Sequence, residues 1–124
     1  MSEGLHGVVV GHGTIAQALV DAAEQITGVR GALVAVSNSG CDRGALEQRI
    51  WSAVNGRASL VFVDLAAGSC LVATLRHVRE HPEVRVVTGV NLAMLVDFLF
   101  HRDAPVGDAA ARAANAGGSA IKVP

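Results

Sequence analysis

Short apolar and β-branched runs alternate along the chain with stretches in which apolar side chains recur every three or four residues. The first pattern is typical of buried strands and the second of amphipathic helices. The predicted strands cover Leu5–Val10, Ala32–Val36, Ser59–Asp64 and Glu83–Thr88. The predicted helices cover Ile15–Ile26, Gly44–Val54, Leu71–Arg79, Leu92–Phe100 and Gly107–Ala116. Strands that alternate with helices predict a doubly wound α/β fold of three layers, with four mainly parallel strands.

Turn-forming residues mark the ends of several of these elements. Thr14 is placed to cap the first helix, and Gly28 to end it. The third strand is the most continuous apolar run, so we expect it near the centre of the sheet. Gly117 and Gly118 follow the last helix, and the terminal run Ser119–Val123 is too short to stand alone. We expect this run to pair as a strand with a sheet edge, in this subunit or in a partner.

Composition and charge exclude several classes of protein. The 124 residues suit one domain, 1–124, and a content of 51% hydrophobic and 17% charged residues excludes a disordered chain. The net charge of -1, with no Lys/Arg cluster, gives a nucleic-acid partner no support. No apolar run approaches the roughly 20 residues of a membrane helix, and no signal-peptide pattern opens the chain. We therefore expect a cytoplasmic protein that meets a membrane only indirectly.

Candidate chemistry lies in the loops that follow the strands, because open α/β sheets bind ligands at the carboxyl ends of their strands. His12 follows the first strand between Gly11 and Gly13, which leave its imidazole unshielded at a helix N-terminus that favours a phosphoryl group. Asp64 ends the third strand. If these strands are neighbours, Asp64 accepts a hydrogen bond from one ring nitrogen of His12 and leaves the other free as a nucleophile.

Gly13, Gly68 and Ser69 are the residues we expect to bind the transferred group, through backbone N–H groups and a hydroxyl. Simpler interpretations remain open for each residue taken singly. His12 suits a turn, and Asp64 and Ser69 each suit a helix cap.

The other conspicuous polar residues are expected to be structural. Asn91 suits a helix start. His77 and His81 have a spacing that can hold a metal, but histidine is also favoured near a helix C-terminus, and we expect no metal site. Cys70 is interpreted as a small buried residue, and both cysteines are expected to be reduced. The chain has no GxGxxG motif and no P-loop lysine, and no cofactor is expected.

Three segments resemble, in order and spacing, the mannose-type IIA component of the bacterial phosphoenolpyruvate-dependent sugar phosphotransferase system. They are Val8–Gly13, Val61–Asp64 followed by Gly68 and Ser69, and Val87–Leu95. The resemblance implies that His12 is transiently phosphorylated by the phosphocarrier HPr, with Asp64 as its hydrogen-bonded partner. It implies that the group then passes to a IIB component on a separate chain and to a sugar at a membrane permease. It also implies a homodimer that exchanges an antiparallel C-terminal strand.

The loop Leu65–Cys70 departs from this family, whose members commonly carry an aromatic residue and a Gly-Gly-Ser-Pro run there. The departure, with no IIB domain fused to the chain, motivates an alternative: a regulatory binding module whose phosphorylation state is sensed by a partner without sugar transport. A third hypothesis is a small hydrolase or flavodoxin-like binding protein with His12 and Asp64 as a dyad. It lacks a nucleophilic serine or cysteine demonstrably close to His12.

Overall fold

The structure, a computed structural model, describes residues 4–124, and a parallel sheet lies at its centre. Its strands in chain order are β1 (His6–Gly11), β2 (Leu33–Ser37), β3 (Ser59–Val63) and β4 (Val84–Thr88). They lie in the order β2-β1-β3-β4, and every neighbouring pair is parallel. All residues of β1 and β3 are buried, as central strands covered on both faces must be. The predicted parallel sheet and the central position of the third strand are confirmed.

Helices cover both faces of this sheet. The helices described are α1 (Ile15–Thr27), α2 (Arg43–Val54), α3 (Ser69–Leu75), α4 (Leu92–Phe100) and α5 (Val106–Ser119). Helices α1, α4 and α5 pack on one face, where the rings of Phe62 and Phe98 meet edge to face at 5.3 Å. Helices α2 and α3 pack on the other face, against Val8 and Val10. The three-layer prediction is confirmed. Within residues 4–124, no helix is long and apolar enough to cross a bilayer.

Helix α1 begins at Ile15 as predicted, whereas α2, α3 and α5 begin one or two residues before their predicted starts, at Arg43, Ser69 and Val106. Helix α2 begins at Arg43, because the Asp42 carboxylate accepts a hydrogen bond from the Ala45 backbone N–H at 2.9 Å. This cap was not among those predicted. Thr14 does occupy the capping position of α1, but its side chain makes no capping hydrogen bond. Gly28 ends α1 in the left-handed region, as predicted.

The predicted third helix is too long at its C-terminal end. Helix α3 stops at Leu75, and Val78–Glu80 forms a separate 3-10 turn before β4. Turns of this kind are common where α-helices finish, because the tighter hydrogen bonding satisfies the last carbonyl groups.

Gly117 and Gly118 do not end the last helix, which continues to Ser119. A Cβ atom on Gly117 would lie 2.8 Å from Met94 Cε and 3.2 Å from Asn91 Oδ1. The Gly117 carbonyl also accepts a hydrogen bond from Asn91 Nδ2 at 3.0 Å. Gly117 therefore permits close packing of α5 against α4, and its role is not to form a turn.

The C-terminal residues 120–124 form no strand in the single chain. Ile121 and Val123 are 76% and 98% exposed, so the terminal run pairs with no edge of its own subunit. The exchange of this run with a partner stays a prediction.

Candidate functional site

His12 and Asp64 meet at the carboxyl ends of the two central strands. His12 directly follows β1 and Asp64 directly follows β3, and these strands are parallel neighbours. His12 Nδ1 lies 2.7 Å from Asp64 Oδ2, and the His12 backbone N–H donates to the same oxygen at 2.9 Å. The structure therefore brings together the two residues that the sequence singled out.

The Asp64 carboxyl is ionised at neutral pH. Its side chain is 10% exposed, whereas that of His12 is 44% exposed. Burial alone raises the pKa of Asp64, but hydrogen bonds from the His12 ring and backbone, the charge of His12 and the Leu65 N–H together hold that pKa below its ordinary value. Since a carboxylate only accepts hydrogen bonds, the neutral form of the His12 ring carries its proton at Nδ1 and keeps a lone pair at Nε2.

Two glycines shape the turn that holds His12. A Cβ atom on Gly11 would lie 2.6 Å from Ile15 Cγ2 and 3.5 Å from Asp64 Oδ2. Gly13 has φ of 57°, in the left-handed region that favours glycine. Gly11 thus allows the close approach of β1, α1 and Asp64, whereas Gly13 allows the left-handed turn, and together they leave the imidazole exposed beside the start of α1.

The loop after β2 fixes this turn from the other side. Ser37 Oγ donates to the Gly13 carbonyl at 2.7 Å, and Asn38 Oδ1 accepts from the Gly13 N–H at 3.3 Å. Arg49 donates to the carbonyls of Ser37 and Ser39, both at 3.0 Å. These residues were not among the predicted site residues. The available signal was a polar loop that follows a strand, because parallel strands end at the same edge of the sheet.

The other two residues expected to bind the phosphoryl group, Gly68 and Ser69, are not part of the hydrogen bonding around His12 among the residues that the structure describes. Gly68 precedes α3 with φ of 98°, Ser69 is the first residue of α3, and both are exposed. Within residues 4–124, neither is hydrogen-bonded to His12 or Asp64. Asn91 caps α4 by accepting a backbone N–H at 3.0 Å, which is the structural role expected of it.

Cys70 lies beneath the histidine. Its Sγ is 3.8 Å from His12 Nδ1, and the residue is completely buried. Burial raises the pKa of the Cys70 thiol, the negative charge of Asp64 raises it further, and a hydrogen bond with Ser69 opposes them less strongly. The expected burial is confirmed, and the contact with His12 is new. A protonated thiol is a weak nucleophile, so this contact gives the hydrolase hypothesis little support.

His77 and His81 both pack against Trp51 of α2. The His81 ring stacks on the indole at a centroid distance of 4.5 Å, and the His77 ring meets it edge to face at 6.4 Å. The spacing of His77 and His81 therefore lets both rings contact Trp51. Within the described part of the chain, the side chains grouped closely enough to hold a metal ion are those of His12, Asp64 and Cys70.

The fold and the site define a class of protein: a doubly wound α/β domain with an exposed histidine oriented by a buried carboxylate. The pair lies between β1 and β3, where the chain reverses its direction of travel across the sheet and where such folds bind ligands. Residues 7–115 match the sequence profile of the EIIA-man family, described as the PTS system fructose IIA component. The chain belongs to this family of sugar phosphotransferase IIA components, and the resemblance stated above is confirmed.

Solved structures share the whole fold. The mannose/sorbose specific IIA subunit from Enterococcus faecalis is 24% identical, with a TM-score of 0.81, 98% of this chain covered and 95% of that one. Component EIIA from Streptococcus agalactiae is 20% identical, with a TM-score of 0.88 and 96% of both chains covered. The IIA protein associated with the fucose utilization operon of Streptococcus pneumoniae is 19% identical, with a TM-score of 0.72 and coverage of 98% and 94%. No curated protein matches this chain significantly.

Proposed function

We propose that the protein is a phosphocarrier of a sugar phosphotransferase system, in which His12 accepts a phosphoryl group from phospho-HPr and passes it to a IIB component. The observation that carries the proposal is the 2.7 Å contact between His12 Nδ1 and Asp64 Oδ2. Membership of the IIA family supplies the sugar phosphotransferase context.

The proposed step needs no proton transfer at His12. The Nε2 lone pair attacks the phosphorus of the donor's phosphohistidine in line, a bond from Nε2 to phosphorus forms, and the donor's nitrogen–phosphorus bond breaks with its electrons returning to the donor ring. The His12 ring becomes positively charged, because Nδ1 keeps its hydrogen. The Asp64 carboxylate stabilises this charge as it develops, and it also holds the ring in the reactive tautomer.

The surroundings of His12 favour a phosphoryl group. His12 lies just before α1, a helix of 13 residues whose N-terminus carries partial positive charge. We assign the binding of the group's oxygens to Gly68 and Ser69, which lie exposed at the start of α3, and to Gly13, whose N–H would exchange its 3.3 Å hydrogen bond with Asn38 Oδ1 for one with the group. The fixed turn at Gly13 limits the movement of His12, and such positioning is the main contribution a protein makes to phosphoryl transfer.

Incubation with radiolabelled phosphoenolpyruvate, enzyme I and HPr tests the proposal. We expect one acid-labile phosphoryl group per chain, and phosphorus NMR should assign it to Nε2. His12→Ala should take up none. His101→Ala is the matched control, because His101 is also half-exposed and its Nδ1 also lies near an aspartate, 3.5 Å from Asp97 Oδ1. Label retained by His12→Ala would overturn the assignment.

The fate of the label separates transport from regulation. The loop Leu65–Cys70, which lacks the family's aromatic residue and proline, is the observation that favours the regulatory alternative. A separate IIB chain that removes the label from His12 supports the carrier role. If each IIB chain encoded in the same genome leaves the label in place, the protein is instead a phosphorylatable regulatory module.

A further inference from the structure

His12, Asp64 and Cys70 form a compact group of three different metal-ligating side chains. One ligand atom from each lies within 4.8 Å of the other two. His12 Nδ1 is 2.7 Å from Asp64 Oδ2 and 3.8 Å from Cys70 Sγ. The proposed phosphoryl transfer uses His12 and Asp64 but gives the thiol of Cys70 no task.

The spacing suits a tetrahedral zinc ion. Zinc binds nitrogen and oxygen at about 2.0–2.2 Å and sulfur at about 2.3 Å, which places nitrogen and sulfur ligands about 3.6 Å apart and nitrogen and oxygen ligands about 3.4 Å apart. The Nδ1–Sγ distance of 3.8 Å already matches. The Nδ1–Oδ2 distance of 2.7 Å must widen, and the 44% exposed ring of His12 has room to move outward.

The surroundings hold the ligands in place. Asp64 Oδ2 accepts the His12 backbone N–H at 2.9 Å, and Asp64 Oδ1 accepts the Leu65 N–H at 2.9 Å. Carboxylates that bind metals are commonly oriented by such hydrogen bonds. A donor set of thiolate, imidazole and carboxylate favours zinc over magnesium or calcium, which prefer oxygen ligands alone. Three protein ligands leave a fourth position for water.

We propose that His12, Asp64 and Cys70 bind one zinc ion, and that the bound ion blocks phosphoryl transfer at His12. On binding, the thiol proton leaves to solvent, the ring proton moves through solvent from Nδ1 to Nε2, and the ion at Nδ1 replaces the hydrogen bond between His12 and Asp64. A neutral ring whose Nδ1 is bound to the ion carries its proton at Nε2 and has no lone pair there to attack phosphorus, and Asp64 no longer stabilises charge on that ring. The blocking half of the proposal rests on the proposed function, whereas the binding half does not.

Calorimetric titration of the tag-free, reduced protein with zinc tests the site. We expect one ion per chain, and Cys70→Ala should weaken its binding on the order of tenfold or more. Cys41→Ala is the matched control. The Cys41 thiol donates to the Asn38 carbonyl at 3.2 Å, so its removal should leave the affinity for zinc unchanged. Cobalt gives a second measurement on the same proteins. A thiolate-to-cobalt charge-transfer band should be present in the wild type and in Cys41→Ala, and absent in Cys70→Ala.

Binding that is absent in the wild type, or equal in the wild type and Cys70→Ala, would overturn the site. The blocking step is measured with purified phospho-HPr and zinc-loaded protein freed of excess metal, each protein being compared with its own metal-free rate. If zinc slows phosphate uptake and a chelator restores the metal-free rate, the blocking step is supported. If the zinc-loaded protein takes up phosphate at the metal-free rate, the blocking step is overturned. If the metal-free protein takes up no phosphate at all, the proposed function fails, and the titration still decides the metal site.

Discussion

A single oxygen atom, Asp64 Oδ2, determines the chemistry of the site at the scale of residues. It accepts both the ring Nδ1–H and the backbone N–H of His12. The ring hydrogen bond selects the tautomer, and the backbone hydrogen bond fixes the turn that carries the ring. The Asp64 carboxylate therefore orients His12 through both the ring Nδ1–H and the backbone N–H of that residue.

Asp64→Asn should slow phosphoryl uptake while leaving the fold intact. The amide is neutral and can present its NH₂ group to Nδ1, which moves the ring proton to Nε2 and removes the nucleophilic lone pair. We expect the rate to fall by about 10²–10⁴-fold, measured by rapid-quench phosphorylation from phospho-HPr. Asp97→Asn is the control. Asp97 lies in α4 and contacts His101, which follows α4, and Arg112 of α5. A rate for Asp64→Asn equal to that of Asp97→Asn would contradict this role.

The sequence predicted the pairing of His12 with Asp64, but neither the contact of Cys70 with His12 nor that of Asn38 with Gly13. The pairing follows once β1 and β3 are neighbours, since residues that directly follow adjacent parallel strands lie at the same edge of the sheet. The other two contacts depend on where α3 begins and on how the loop after β2 folds back onto Gly13. Those conformations depend on tertiary packing, which hydrophobic periodicity does not encode.

The packing of α5 against α4 shows, at the scale of elements, how tertiary contacts override a local signal. A glycine pair after an alanine-rich stretch usually indicates a helix end. Here the helix continues, because Gly117 has no side chain to keep it from Met94 and Asn91. Sequence alone does not distinguish a glycine that ends a helix from one that allows two helices to approach.

The neighbouring glycines of α5 provide a matched test of this interpretation. Gly117→Ala should lower the free energy of unfolding by about 1–2 kcal/mol, because its Cβ would overlap Met94 Cε and crowd Asn91 Oδ1. Gly118→Ala should raise the free energy of unfolding by about 0.5 kcal/mol, because nothing lies within 4 Å of its Cβ and alanine favours the helix. Urea unfolding of both variants measures the difference, and equal effects would contradict the packing role of Gly117.

Topology places the candidate site at the scale of the whole molecule. With the order β2-β1-β3-β4, the loops after β1 and β3 lie side by side, and the loop after β2 borders them. The same fold leaves two apolar side chains, Ile121 and Val123, exposed at the C-terminus. The homodimer that the family resemblance implies would cover these side chains, and it stays a prediction.

Substitutions in the tail test this homodimer. In an extended strand, Ile121 and Val123 point to one face and Lys122 to the other, so only the first two would bury apolar surface against a partner's sheet. Sedimentation equilibrium should show a dimer for the wild type and for Lys122→Ala. The double variant Ile121→Ser/Val123→Ser should be monomeric with an unchanged helix content, because the tail contributes no strand pairing within its own chain. A monomeric wild type would exclude the homodimer, and a dimeric double variant would place the contact elsewhere on the molecule.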